Sequence, residues 1–199
     1  MAHEDYSAEL AELHKQYGVP KRVDFEVDML LDEFALVQRS MKRGRRHDVT
    51  VFIRHEGKFV VIEKHAYANS GIVRAPSGGA QPSESLIAAA QRESREETGF
   101  DVEVDHFVLE AHVLLKCGNY PAVPWVSYVF LAHVVGGQLG AKDLKEISDV
   151  QLRTRDELLR DVRPLMLASG LGGFEYRAKM TDAFFEELDA LDILAKDSE

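Results

Sequence analysis

The order of apolar segments predicts an α/β protein, with helices on both faces of a mixed β-sheet in an α/β/α sandwich. Three strand-like segments precede an amphipathic helix, three more follow it, and helical spacing returns near the C-terminus. Strands on both sides of a single helix, with a further helix arriving late, favour this layered arrangement. No internal repeat or linker-like stretch divides the chain.

Composition bounds the class of protein. A chain of 199 residues, 45% hydrophobic and 29% charged, is long enough for one core, or for one domain with an extension. A net charge of −10 argues against DNA or an anionic membrane as the main partner. The lone Cys117 excludes an intrachain disulfide and fits a cytoplasmic location, and the N-terminus lacks the features of a signal peptide.

The first 46 residues are interpreted as an N-terminal helical extension, and residues 47–199 as the main domain with C-terminal helices. Residues 4–17 have helical spacing, Gly18–Pro20 interrupts it, and residues 21–41 form a second helical candidate. The extension either packs on the domain or acts as a dimerisation arm of a homodimer; both interpretations stay open. The basic residues that follow are a solvated loop or a phosphate-binding patch: Lys42, Arg43, Arg45 and Arg46.

The predicted strands before the central helix are residues 49–53, 59–62 and 72–75, with residues 56–58 as a hairpin turn. The third leads into Gly78 and Gly79, which allow a ligand or metal to approach the backbone closely. After the helix, strand patterning covers residues 102–109, 111–115 and 125–135, and residues 147–152 are a candidate for one more strand. Helical patterning covers residues 155–167 and 174–194. Residues 117–141 lack charged side chains, but prolines and glycines divide them, which predicts a buried strand and not a membrane span.

Three glutamates give the central helix its chemistry. Pro82 and Ser83 suit a helix start, and Gly99 suits a left-handed helix end. Between them, Glu93, Glu96 and Glu97 project from one face of the last turn, where mutual repulsion and the helix dipole both disfavour them. Such carboxylates suit a hard divalent cation, Mg²⁺ or Mn²⁺.

The stretch from Gly78 to Phe100 resembles the Nudix box of the Nudix hydrolases, Gly-x5-Glu-x7-Arg-Glu-U-x-Glu-Glu-x-Gly-U, where U is bulky and apolar. Eight of the nine specified positions match. The exception is Ser94, whose hydroxyl we expect to bond back to a helix carbonyl on a buried flank. The resemblance is specific over residues 78–100 and looser over about 48–165, and it implies the same α/β/α sandwich.

The resemblance also implies roles for individual residues. Glu93 and Glu97 would be the main metal ligands, Glu96 a third ligand or the general base, and the Gly78 carbonyl a further ligand. Arg92 would orient a box glutamate, and Glu84 would support the metal shell. A further acid from outside the box is expected at Glu146, with Asp143 behind it; alternatively both belong to a solvated loop.

The resemblance implies a Mg²⁺-dependent pyrophosphohydrolase that cleaves a nucleoside diphosphate derivative or a nucleotide. Two alternatives remain: a non-catalytic nucleotide-binding sensor module, and a nucleic-acid cap-cleaving enzyme suggested only by the basic patch. The substrate itself is not predicted, because Arg74 occupies a position that is often acidic in relatives that cleave ADP-ribose.

His112 and His133 are expected to be structural, Cys117 to be inert, and three aromatic residues to be core or base-stacking groups: Tyr120, Trp125 and Tyr128.

Overall fold

The computed structural model describes residues 6–42, 44–45 and 47–193. The strands are β1 Lys21–Asp28, β2 His47–His55, β3 Lys58–Lys64, β4 Ser77–Gly78, β5 Phe100–Lys116, β6 Val123–Gly137 and β7 Ile147–Arg153. The helices are α1 Ser7–Tyr17, α2 Leu31–Lys42, α3 Leu86–Thr98, α4 Arg155–Glu157, α5 Arg163–Ala168 and α6 Gly172–Ala190. A π-helical segment, Leu158–Val162, joins α4 to α5.

These strands form one mixed sheet in the order β1-β5-β6-β2-β3-β7, and the short β4 pairs with β2. β6 lies in its interior, antiparallel to β5 and parallel to β2. The prediction of a central strand at 125–135 is therefore confirmed. Among the described residues, no helix is both long and apolar enough to cross a membrane.

Helices cover both faces of the sheet, as the α/β/α prediction requires. Val51 and Ile53 of β2 face a core shared with α1 and α3. Phe52, between them, faces the other side, where its ring stacks on that of Phe184 from α6 at a centroid distance of 3.7 Å. Alternate residues of one strand thus serve two cores.

The helix predicted over residues 21–41 is wrong in its first part. Lys21–Asp28 is the edge strand β1, which pairs in parallel with β5 from Leu109 to Lys116. The alternation of Val23, Phe25 and Val27 with charged residues is the period-two signal of a strand. α2 starts only at Leu31. The proposed dimerisation role of residues 1–46 stays a prediction, and residues 1–5, Arg43 and Arg46 lie outside the described residues.

The strand expected at residues 72–75 is also not formed. Instead, the Ile62 and Arg74 backbones exchange two hydrogen bonds, Ile62 N to Arg74 O at 2.8 Å and the reverse at 3.0 Å, as an isolated bridge. The chain then enters β4, whose Gly78 pairs with Val49 of β2. The predicted strand segments 102–109 and 111–115 both belong to one long strand, β5, whose pairing with β6 is interrupted by register shifts.

Candidate active site

The helix α3 is fixed at both ends and on its buried flank. It begins later than predicted, because Ser85 is the N-cap and accepts a hydrogen bond from Ala88 N at 3.1 Å. Ser83 has a φ of 66°, which is not helical. Gly99 ends the helix in the predicted left-handed conformation. Ser94 is fully buried and donates from Oγ to the Ala90 carbonyl at 2.7 Å, so its predicted bond is confirmed.

The Glu93 carboxyl lies directly against Gly78. A Cβ atom on Gly78 would overlap that carboxyl group, so this approach is possible only because the side chain of residue 78 is absent. β4 therefore brings a backbone without a side chain to the acidic face of α3. This close approach explains why the motif begins with glycine.

Arg92 connects the acids of the motif to one another. Its Nε and Nη2 donate to the two oxygens of Glu84 at 2.8 and 3.0 Å. Nη1 donates to Glu93 at 2.8 Å and to Glu96 at 2.9 Å, and Nη2 also reaches the Gly79 carbonyl at 2.8 Å. The structure thus shows Arg92 in ion pairs with box glutamates. Arg92 and Glu84 together fix the loop that leads into the helix.

Glu97 is the buried member of the acidic face, with only 4% of its surface exposed. Its Oε2 accepts a 2.7 Å hydrogen bond from the Ser77 backbone N–H, and its Oε1 lies 3.0 Å from Lys64 Nζ. Arg74 Nη2 is 3.8 Å from the same oxygen. A buried carboxylate is stable only with partners of this kind.

The loop after β6 brings Glu146 to the same cluster. Lys64 bridges the two acids, since its ammonium group contacts both Glu97 and Glu146. Among the described residues, the Asp143 side chain makes no contact with the glutamates of the box. Its backbone N–H instead donates to the Glu96 carbonyl at 3.0 Å. Glu146 is therefore the better placed of the two predicted acids.

A second set of hydrogen bonds, around the Ser77 side chain, connects α6 to β2 and β4. Arg177 of α6 donates to Thr50 Oγ1 at 2.8 Å, to Ser77 Oγ at 3.0 Å and to Asp48 Oδ2 at 3.1 Å. Arg74 also donates to Ser77 Oγ, at 2.7 Å. Ser77 thus joins the C-terminal helix to Glu97. No local spacing relates this network to the motif, so the sequence did not indicate Arg177, Asp48 or Lys64 as site residues.

Other predicted polar residues do not join this cluster. His112 contacts Glu110, and His133 contacts Asp105, each within or between strands. Cys117 is buried. Tyr128 is buried in the core beside α1 and α3, whereas Tyr120 is exposed and packs near Phe34.

Burial raises the pKa of the Glu93 carboxyl above its ordinary value, and the charges of Glu96 and Glu97 add to this effect. Hydrogen bonding and the charge of Arg92 oppose the increase. Arg92 correspondingly lowers the pKa of Glu84, chiefly through their hydrogen bonds. Burial thus disfavours the charged form of the Glu93 carboxyl.

The donor chemistry of this face fits a divalent cation. The three glutamates supply the carboxylate oxygens that Mg²⁺ and Mn²⁺ prefer. The Glu93 carboxyl lies in space that a side chain at residue 78 would occupy. Within the described ranges, however, no three His, Cys, Asp or Glu side chains are gathered as a metal cage. Arg92 and Lys64 provide the positive charge at these carboxylates.

Residues 44–170 match the family model described as the NUDIX domain. This match covers more than half of the chain and includes the motif, Lys64 and Glu146. The chain belongs to the Nudix hydrolase family. The matched region ends before α6, so Arg177 of this Nudix hydrolase lies outside it. Among curated proteins, no sequence matches the chain significantly.

Several solved structures are similar to this Nudix hydrolase. An ADP-ribose pyrophosphatase from Streptococcus suis has a TM-score of 0.40 and 18% identity, over 55% of this chain and 74% of that one. A NUDIX hydrolase from Nitrosomonas europaea has a TM-score of 0.46 and 24% identity, over 57% and 75%. A MutT NUDIX hydrolase from Burkholderia pseudomallei has a TM-score of 0.42 and 22% identity, over 56% and 84%. The family assignment rests on the family model and not on these similarities.

The contact between Gly78 and Glu93 gives a first prediction. Gly78 does not have a positive φ, so the backbone tolerates alanine, but the new methyl group must displace the Glu93 carboxylate. Because a misplacement of about 1 Å in a catalytic site can cost about 10²-fold in rate, we expect Gly78→Ala to lower kcat by a factor of that order. Steady-state hydrolysis measures this. Gly136→Ala is the matched control, since its Cβ would lie 3.6 Å from Asp101 in ordinary contact. Equal rates for the two variants would contradict the prediction.

Proposed function

We propose that this Nudix hydrolase is a Mg²⁺- or Mn²⁺-dependent pyrophosphohydrolase that cleaves the diphosphate linkage of a nucleoside diphosphate derivative or nucleotide. The observation that carries the proposal is the Glu93 carboxylate held against Gly78, with Glu97 one helical turn further along. Three carboxylates on one face of the last turn repel one another and are disfavoured by the helix dipole, and Arg92 and Lys64 offset this cost through ion pairs.

Four groups would hold the cation: Glu93, Glu96, Glu97 and the Gly78 carbonyl. When bound, it supplies positive charge at the diphosphate oxygens and makes water a better nucleophile. Arg92 orients Glu93 and Glu96 through its two bonds from Nη1. Ser77 N–H and Lys64 fix the two oxygens of Glu97.

Two acids are candidates for the proton from the attacking water. The Glu96 side chain is 49% exposed, so solvent and substrate can reach it. Glu146 is 55% exposed and shares Lys64 with Glu97, which places it at the edge of the same cluster. A base must reach the proton that it accepts, directly or through one water molecule, and both side chains are accessible for this role.

The proposed partner is a small nucleotide-derived molecule, and neither DNA nor a membrane is required. The cytoplasmic location and the homodimer stay predictions. The buried Cys117 is compatible with a reducing compartment.

A substrate panel tests the proposal. Nucleoside diphosphate sugars, dinucleotides, dinucleoside polyphosphates and nucleoside triphosphates are incubated with the protein in Mg²⁺ or Mn²⁺, and the products are separated chromatographically. We expect one class to be cleaved at its diphosphate linkage. Tight binding of one class with no cleavage of any would overturn the proposal and favour the non-catalytic sensor module.

A further inference from the structure

Arg45, two residues before the start of β2, is packed between an aromatic ring and a glycine. Its Cζ lies 5.6 Å from the centroid of the Trp125 ring, and its Nε donates to the His47 carbonyl at 3.2 Å. On the other side, a Cβ atom built on Gly79 would lie 2.5 Å from Arg45 Nε. The half-buried guanidinium group is therefore held in one orientation by the indole of β6 and by the backbone of the loop after β4.

Among the described residues, the two terminal nitrogens of this guanidinium group have no hydrogen-bond partner. A guanidinium has five N–H donors. In the part of the chain that the structure describes, Arg45 makes a single hydrogen bond, from Nε, and has no carboxylate within ion-pair distance. The planar fork of Nη1 and Nη2 is thus available. Such a fork matches the oxygens of a phosphate group in a bidentate contact.

Through Gly79, Arg45 lies next to residues that contact the acidic face of the box. Gly79, which Arg45 contacts, accepts a hydrogen bond from Arg92 through its carbonyl, and the preceding residue, Gly78, lies against Glu93. The other cations of the cluster already have protein partners: Lys64, Arg74, Arg92 and Arg177. A protein with a net charge of −10 repels a polyphosphate unless a local cation compensates.

We propose that Arg45 binds a phosphate group of the substrate next to the box, and that Trp125 is a positioning residue that holds its guanidinium plane. The inference rests on the proposed function and deepens it, because it assigns the group that recognises the anionic part of the substrate. Gly79 has a defined role in this arrangement, since a side chain there would displace Arg45.

Binding measurements test the assignment without relying on turnover. Trp125 is the only tryptophan of the chain, so its fluorescence reports directly on this site. Inorganic pyrophosphate and ADP are titrated in Mg²⁺ at constant ionic strength, and calorimetry gives the same Kd independently. The variants are Arg45→Ala and Arg45→Lys. Arg39→Ala, at an exposed position of α2, is the matched control because it removes the same charge.

We expect Arg45→Ala to raise the Kd of both probes by about tenfold or more, because a charge-assisted bidentate contact is lost. Arg45→Lys should be intermediate, since lysine retains the charge without the fork, and Arg39→Ala should match the wild type. Circular dichroism confirms that each variant is folded. An unchanged Kd in Arg45→Ala, equal weakening by Arg39→Ala, or no binding of either probe to the wild type would each overturn the assignment.

The two proposals can fail separately. If a panel substrate is cleaved with the same KM by the wild type and Arg45→Ala, only the proposed role of Arg45 is contradicted. If pyrophosphate binding depends on Arg45 but no panel substrate is cleaved, only the proposed hydrolysis is contradicted.

Discussion

Replacing Glu97 with glutamine is expected to lower kcat by about 10²–10⁴-fold, the range for loss of a group that acts directly in a proton-transfer or charge-stabilising step. Glutamine has almost the same shape and retains an oxygen that can accept the bond from Ser77 N–H. The change therefore leaves the shape of the side chain nearly intact but removes the negative charge that Lys64 and Arg74 contact. Glu96→Gln should lower kcat in the same direction. Steady-state kinetics on the substrate found in the panel give the values.

Glu103→Gln is the matched control for this experiment. Glu103 is an exposed residue of β5, so losing its charge should leave kcat unchanged. If Glu97→Gln were as active as Glu103→Gln, the acidic face would not be catalytic. Thermal unfolding of both variants shows whether a loss of rate is instead a loss of folded protein.

Replacing Arg177 with methionine is expected to lower the free energy of unfolding by about 3–5 kcal/mol, the usual cost of removing one partner of a buried ion pair. Asp48 is 4% exposed and receives a hydrogen bond from Arg177, so the variant leaves a buried carboxylate without its counter-charge. Urea unfolding followed by circular dichroism measures the change.

Arg163→Met provides the comparison on the neighbouring helix α5. Arg163 pairs with Asp182 of α6 at 2.8 Å, but the two side chains are 39% and 28% exposed. More exposed pairs contribute about 0–1 kcal/mol, so this variant should unfold at nearly the same urea concentration as the wild type. Similar losses of unfolding free energy in Arg163→Met and Arg177→Met would show that the buried ion pair stabilises the protein no more than the exposed one.

The acidic face of α3 could be predicted because it depends only on residues that are close together in the sequence. The spacing of Glu93, Glu96 and Glu97 defines one face of a helix whatever the rest of the chain does. Gly99 ends the helix as predicted, for the same reason. Its start was placed two residues too early, because Ser83 and Ser85 are equally good caps by residue type, and only the backbone conformation selects Ser85.

The edge strand β1 shows the limit of a periodicity argument. Charged residues alternate with Val23, Phe25 and Val27, and the apolar residues that follow in α2 extend the same region into a helical pattern. Pairing with β5, more than eighty residues later in the chain, stabilises the strand. Tertiary contact of this kind overrides local preference.

The ion-pair network around Ser77 was not predictable in the same way. Arg177 and Asp48 are 129 positions apart, and Lys64 and Glu146 are 82 apart. Neither pair has a spacing that marks it in the sequence, because the sheet and α6 bring the residues together only in the folded protein. The sequence did indicate Glu146 as a candidate acid, but its contact with Lys64 needed the structure.

The most direct measurement is hydrolysis of the best panel substrate in a single reaction, first with Mg²⁺, then after excess chelator, and then after Mg²⁺ is restored. We predict that cleavage stops on chelation and returns with the metal, while Glu97→Gln stays nearly inactive throughout. Cleavage that continues at the same rate in excess chelator would contradict a metal-dependent reaction at the acidic face of α3.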